Sequence, residues 1–360
     1  MPLKKKGRKK ARPSRAELNE AMLRRVAWRT KGGGNISFPA VPGLVDHYVE
    51  VLGKLLAAIG RPFTGDAAVR CRAMLSEKIA WAFERSHNAW VDVEWKTDLG
   101  PTLSLSYTVT GRHKTIEEAY AEWVQMRQPP LFGKHPDARV MTLARTLGPP
   151  GEVTVLDAGA GTGRNALPLA REGYVVDALE LAPVLVTQLE LAAQEAQTDV
   201  RSVCGSFYDR ALTLPHKDYR LVVLAEMCSH WRGMTDLRNT LVRLSELLGL
   251  GGLGLFNVHL AHPGFEPNAT ERDFSQIGWC PIYTREEVVQ ASAGLPLELI
   301  SDDSAIEYEK AHGSKDGWPP TGWFMRWASG SEVFDVPHGT APFELRWLTF
   351  RQEKPARVKR

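Results

Sequence analysis

Cysteine is scarce and poorly placed for bridging: Cys71, Cys204, Cys228 and Cys280 are the four in 360 residues, and their separations show no paired spacing. Neither a zinc ribbon nor a disulfide framework is indicated, no metal site is expected, and the thiols are expected to be reduced. Also missing is any apolar run of the ~18 residues that a membrane span needs, and the basic N-terminus lacks the apolar core of a signal segment. The expectation is a cytoplasmic protein with no membrane partner. Acidic residues are absent from the first fifteen positions, which hold eight Lys or Arg. Beneath a formal total of +3, the rest of the chain therefore carries −5, which argues against a broad phosphate-binding face. No internal repeat is apparent.

At 360 residues the chain exceeds one core, and 43% hydrophobic content can support two. Residues 1–34 read as a disordered basic tail, beginning MPLKKKGRKKARPSR, with a hinge at Lys31-Gly32-Gly33-Gly34-Asn35. Nucleic acid would find its contact in that tail, although a solubilising extension is the plainer reading. Residues 35–134 read as an N-terminal α+β accessory or cap domain, and residues 135–360 as the main domain. Apolar spacing in the former predicts helices from Leu44 to Ile59 and from Ala67 to Phe83. A hairpin of Trp90–Trp95 and Leu103–Thr110 is joined through Gly100-Pro101, and a helix from Thr115 to Arg127 ends before Pro129-Pro130. On that helix Tyr120 and Trp123 suit core packing first and a pocket wall second.

The most informative stretch is Val153–Ala170, VTVLDAGAGTGRNALPLA. Val153–Leu156 predict a buried strand ending at Asp157, and Gly159, Gly161 and Gly163 then allow a turn where backbone approaches a ligand closely. A helix following from about Arg164 aims its free N–H groups at that ligand, favouring a carboxylate or phosphate by ~0.3–1 kcal/mol per contact. A dinucleotide fingerprint needs a third glycine where Arg164 stands, which weakens a nicotinamide-dependent oxidoreductase. The pattern Asp-x-Gly-x-Gly-x-Gly instead resembles the first motif of class I S-adenosylmethionine-dependent methyltransferases. Within that family GAGTGRNALPLA looks nearest to the tellurite-resistance-type small-molecule branch.

The rest of the chain follows the resemblance in order over roughly residues 135–360. A second strand, Tyr174–Leu179, ends at Glu180, about twenty residues on, where an acid accepts ribose hydroxyls in nucleotide-binding α/β units. A helix over Ala182–Ala196 and a third strand at Val200–Val203 lead to Gly205-Ser206-Phe207. In the family that turn usually carries an acid for the adenine amino group; here Ser206 stands in its place, and Phe207 is either an adenine face or core. Arg220–Leu224 is the fourth strand, and Ala225 to Trp231, with Glu226 and His230, occupies the family's lip beyond it. A helix from Thr235 to Leu248, the pair Gly251-Gly252 and a fifth strand at Leu253–Val258 follow. Thr284 and Glu287 form a capping box for a helix closed by Gly294, and strands at Leu297–Ser301 and Glu344–Phe350 complete the set.

The expected fold is therefore α/β: a doubly wound, mostly parallel, seven-stranded Rossmann-like methyltransferase sheet with the N-terminal α+β domain appended. The resemblance implies S-adenosyl-L-methionine as cofactor, held by Asp157, Gly159, Ala160, Gly161, Gly163, Glu180, Leu181, Ser206, Phe207 and Glu226. His230 is the candidate base or orienter, with a structural role as the alternative; His259 and His262 follow the fifth strand and point to the cleft without forming a metal set. Trp318, Trp323, Trp327 and Trp347 suit core packing, with a pocket for a flat or cationic substrate as the second reading. The expected reaction is in-line methyl transfer to a small-molecule acceptor. An RNA or protein methyltransferase guided by the basic tail, and a noncatalytic cofactor-binding module, are the alternatives. The acceptor atom and the oligomeric state stay open.

Overall fold

The computed structural model describes residues 12–354 apart from 64, 87, 98–104 and 129, so most of the basic tail and the Gly100-Pro101 turn lie outside the described residues. The chain divides into two compact units, one ending at His113 and the other beginning at Lys114.

In the first unit, helix α1 (Arg15–Arg29) occupies ground expected to be disordered. Ser14 and Glu17 explain its start, because each side chain accepts the other's backbone N–H. Strand β1 (Gly33–Pro39) replaces the expected hinge. It pairs antiparallel with β2 (Trp90–Thr97), which pairs with β3 (Leu105–Arg112), while α2 (Val45–Ala58) and α3 (Ala67–Phe83) bury Tyr48, Leu52, Cys71, Leu75 and Ile79 against that sheet. The glycines serve the pairing. Gly34 lies opposite Trp95, and a Cβ there would come within 3.0 Å of the indole, so the run that suggested flexibility makes room for a large neighbour.

The second unit opens with α4 (Ile116–Met126), started by a capping box between Thr115 and Glu118. The expected boundary at 134/135 is thus displaced: Tyr120, Trp123 and Val124 pack with Leu131, Ala182 and Leu185 of this unit. After α5 (Ala138–Arg145) the chain alternates as expected through β4 (Thr154–Ala158), α6 (Ala166–Arg171), β5 (Val175–Glu180), α7 (Pro183–Ala196), β6 (Val200–Cys204), β7 (Tyr219–Leu224), α8 (Met234–Leu247) and β8 (Leu248–Ala261). Then come α9 (Ala269–Ile277), β9 (Ile282–Tyr283), α10 (Arg285–Ser292), β10 (Leu297–Ser304), α11 (Ala305–His312), α12 (Phe324–Ala328), α13 (Ser331–Phe334) and β11 (Phe343–Gln352).

The strands lie in the order β10-β11-β8-β7-β4-β5-β6, with the short β9 beside β8. Every pairing from β6 to β8 is parallel, and β11 alone is inserted antiparallel between β8 and β10. This is the expected doubly wound, mostly parallel α/β sheet. Its central strands are apolar on both faces because helices cover both, as Leu221 to Leu224 show by being fully buried. At Gly252 a Cβ would strike the Tyr219 carbonyl at 2.6 Å, which is why the glycine pair stands where β8 bends past β7.

Two tryptophans expected as core are core: Trp347 and Trp327 are buried, the latter with its indole N–H donated to the Trp279 carbonyl at 2.7 Å. His259 differs from its expected place in the cleft. It is fully buried between Trp327 and Phe343, and its Nε2–H donates to the Trp327 carbonyl at 3.1 Å. His262 is exposed. Burial lowers the His259 pKa to about 3, against ~6.5 in an unfolded chain. Between those values only the unfolded chain binds the proton, so stability present above pH 6.5 is lost as the pH falls, by up to ~1.4 kcal/mol per pH unit. His259→Gln keeps a donor and removes the titration. Its urea-unfolding free energy is expected to fall less steeply than wild type between pH 6.5 and 4.5; parallel slopes would show that His259 does not report this linkage.

Candidate functional site

The site is built where strands β4, β5 and β7 end. β4 delivers Asp157 and then reverses through Gly159, Gly161 and Gly163, all with positive φ of 73°, 55° and 90°. The turn is pinned to the next strand: the N–H groups of Gly159 and Ala160 both donate to the Leu179 carbonyl, at 2.8 and 3.1 Å. Side chains press on the bare glycines. A Cβ at Gly159 would meet Met227 at 2.8 Å, one at Gly161 would meet the Phe132 ring at 3.1 Å, and one at Gly163 would meet Leu167 at 2.8 Å. Met227 and Phe132 thus set the width of the turn.

Glu180, at the end of β5, faces this turn. One carboxylate oxygen accepts the Gly161 N–H and the other the Ala182 N–H, both at 2.9 Å. Burial raises its pKa while those backbone donors oppose the rise. Each oxygen retains a lone pair, so the group can accept hydroxyl protons from a ligand laid across the turn. Leu181 follows, half-buried, its carbonyl accepting from the Cys204 thiol at 3.8 Å.

Asp157 lies beneath the turn rather than on its surface. It is 2% exposed, one carboxylate oxygen has no hydrogen-bond partner among the described residues, and burial, then the nearby Asp137, raises its pKa to about 7. The Ala166 N–H at the start of α6 opposes that rise. Its position suits holding the turn on the helix more than touching a ligand.

Arg164 is the residue that sequence reasoning undervalued. Noted only as a missing glycine, it is 7% exposed and bridges two carboxylates, Asp137 at 2.9 Å and Glu226 at 2.8 Å. Burial works against its charge, but Asp137 and Glu226 more than compensate and raise its pKa. Asp137 and Asn165 are reciprocally bonded, backbone N–H to Oδ1 and Nδ2 to Oδ2, each at 2.9 Å. Glu226 opens the lip after β7 with a left-handed backbone, φ 61°, and its N–H donates to Asn257 Oδ1 at 2.7 Å. No local pattern announces these pairs, because the partners are 27 and 62 residues from Arg164.

His230 ends the same lip. Its Nε2 lies 3.0 Å from the Tyr120 hydroxyl, and its ring meets Trp279 edge-on at 5.5 Å. Burial lowers its pKa to about 4, so the imidazole is neutral at physiological pH. Tyr120 is raised by burial and then by the charges of Glu180 and Glu226, which ties helix α4 electrostatically to the turn. The remaining expected residues lie further out. Ser206 Oγ accepts the Tyr208 N–H at 3.2 Å, and Phe207 is 4% exposed in the main core. An open groove of about 490 Å³ is lined by Leu131 and Gly133, on either side of Phe132, and by Trp323. Among the described residues no cluster of His, Cys, Asp and Glu could hold a metal ion, and no helix is long and apolar enough to cross a membrane.

Comparison with known proteins bears on this arrangement. Residues 155–252, from β4 into β8, match the methyltransferase domain family. A Geobacillus sp. (strain WCH70) protein named as a methyltransferase is 30% identical over 112 residues, 30% of this chain and 43% of that protein. The chain thus spans less than half the length of that curated relative. Among solved structures, geranyl diphosphate C-methyltransferase from Streptomyces coelicolor A3(2) is 18% identical, with a TM-score of 0.45 over 60% of this chain and 78% of that one. A TehB-like SAM-dependent methyltransferase from Corynebacterium glutamicum ATCC 13032 is 16% identical, with a TM-score of 0.38 over 65% and 95%.

Arg164→Leu leaves Asp137 and Glu226 as buried carboxylates without their cation. The variant is expected to lose ~3–5 kcal/mol of stability in urea unfolding near pH 7; a midpoint equal to wild type would mean that the network carries no such weight.

Proposed function

We propose that the chain, whose residues 155–252 match the methyltransferase domain family, transfers a methyl group from S-adenosylmethionine to a small-molecule acceptor. The observation that carries the reading is the 2.9 Å bond from the Gly161 N–H to Glu180, which joins the glycine turn of one strand to the acid ending its parallel neighbour. In an open α/β sheet that crevice, at the carboxyl ends of the strands, is where ligands bind. The groove beside it has the size of a small-molecule site rather than of a broad macromolecular face.

S-adenosylmethionine fits these residues: bare backbone at Gly159, Ala160, Gly161 and Gly163 for close approach, Glu180 for the ribose hydroxyls, and Leu181 and Ser206 along the rim. The cofactor supplies an electrophilic methyl on a sulfonium. The chain's own task is to align an acceptor with that methyl in a dry site, which is worth ~7–11 kcal/mol of barrier. Met227, Phe132 and Tyr120 exclude water, and Asp157 and Arg164 hold the turn and the lip in register. Neutral His230, held at Nε2 by the Tyr120 hydroxyl, orients the acceptor, and its lowered pKa makes it a weak base.

Calorimetric titration of the full chain with S-adenosylmethionine tests the first step, and a labelled-methyl screen of metabolite pools the second. Glu180→Ala is expected to bind the cofactor about tenfold more weakly or worse, through lost hydrogen bonds to a charged acceptor, with the fold intact by circular dichroism. Wild-type affinity in that variant would sink the ribose assignment. Transfer confined to RNA or protein, steeply weakened by salt and by deleting residues 1–30, would replace the small-molecule reading.

A further inference from the structure

We propose that the groove next to Phe132 anchors a carboxylate or phosphate group of the methyl acceptor; the inference rests on the small-molecule transferase reading and names its substrate class. The groove, about 490 Å³, has Arg127 and Lys134 in its wall and Asp316 as its one carboxylate. Arg127 lies over the Trp123 ring at 4.6 Å, and neither Arg127 nor Lys134 has a carboxylate partner among the described residues. Two cations in a wall with one acid leave positive charge to be matched from outside the protein. Charge-assisted bonds to a planar or tetrahedral oxyanion are the strong form of that match, and guanidinium makes them in pairs.

One further feature points the same way. Trp323 adds a flat apolar side for the body of the molecule, its ring steadied edge-on by Trp327 at 5.5 Å. The walls are rigidly apposed. At Gly133, φ 95°, a Cβ would stand 2.6 Å from the Pro320 carbonyl, so only glycine lets the two segments close.

Position links the groove to the chemistry. Leu131 and Gly133 line it, while Phe132 between them packs on Gly161 of the glycine turn. A ligand in the groove is therefore one side chain removed from the cofactor crevice. The tryptophan-rich segment suits core packing first and a flat or cationic substrate second. The charge of the wall reverses that sign, because a cation there would face Arg127 and Lys134 before it gained from the rings.

The test uses the full-length protein and three probes: benzoate, inorganic phosphate and the neutral benzamide, followed by tryptophan fluorescence. Benzoate or phosphate is expected to give a saturable change that is lost in Trp323→Phe and weakened about tenfold or more in the double variant Arg127→Gln, Lys134→Gln. Asp316→Asn is expected to bind as tightly as wild type or tighter. Response to benzoate alone marks a carboxylate, and to phosphate alone a phosphoryl group; either supports the site. No saturable response, benzamide binding equal to benzoate, or wild-type affinity in the double variant overturns it. Calorimetry with S-adenosylmethionine on the same proteins separates the two readings. Cofactor binding is expected unchanged in the double variant, whereas its absence in wild type would fail the transferase reading and leave the anion titration standing on its own.

Discussion

A buried guanidinium organises the working edge of this protein. Arg164 is removed from water, and an unpaired charge there would cost several kcal/mol, so the fold supplies two carboxylates to meet it. One, Asp137, stands at the start of α5; the other, Glu226, opens the lip after β7. Three segments far apart in the chain are thereby fixed to one point at the end of the glycine turn. The lip accepts a left-handed backbone at Glu226 because Asn257 and Arg164 together hold it.

The consequence is a site in which charge is concentrated underneath and apolar surface above. Asp157, Glu180 and Glu226 all have raised pKa values, with burial as the leading cause in each. Over them lie Tyr120, Phe132 and Met227, contributed by α4, the segment after it and the lip. Low dielectric strengthens each remaining hydrogen bond and keeps His230 neutral. Beyond Phe132 the character changes again, to an open groove with cationic walls.

Much of the frame was legible along the chain because its signals are local. Strand ends followed by Gly159, Gly161 and Gly163, or by Glu180, are read from consecutive residues, as are the capping boxes at Thr115 and Thr284. Where local rules misled, a distant neighbour was responsible. Gly33 and Gly34 carry the composition of a hinge, and the strand carrying Trp95, some sixty residues on, pairs them into a sheet. His259 follows a strand that ends at the cleft, yet the segment around Trp327 and Phe343 covers it.

The order of strands and helices from β4 to β8, the glycine turn and the acid at the end of β5 follow from the sequence alone, since backbone conformation and apolar periodicity act over a few residues. Only the folded chain decides that Arg164 takes Asp137 and Glu226, that Tyr120 meets His230, and that Arg127 and Lys134 face a groove without carboxylates of their own to match them. Charge pairing and burial depend on distance through space. Packing brings together residues 27, 62 and 110 positions apart, and no pattern of neighbours along the chain encodes that meeting.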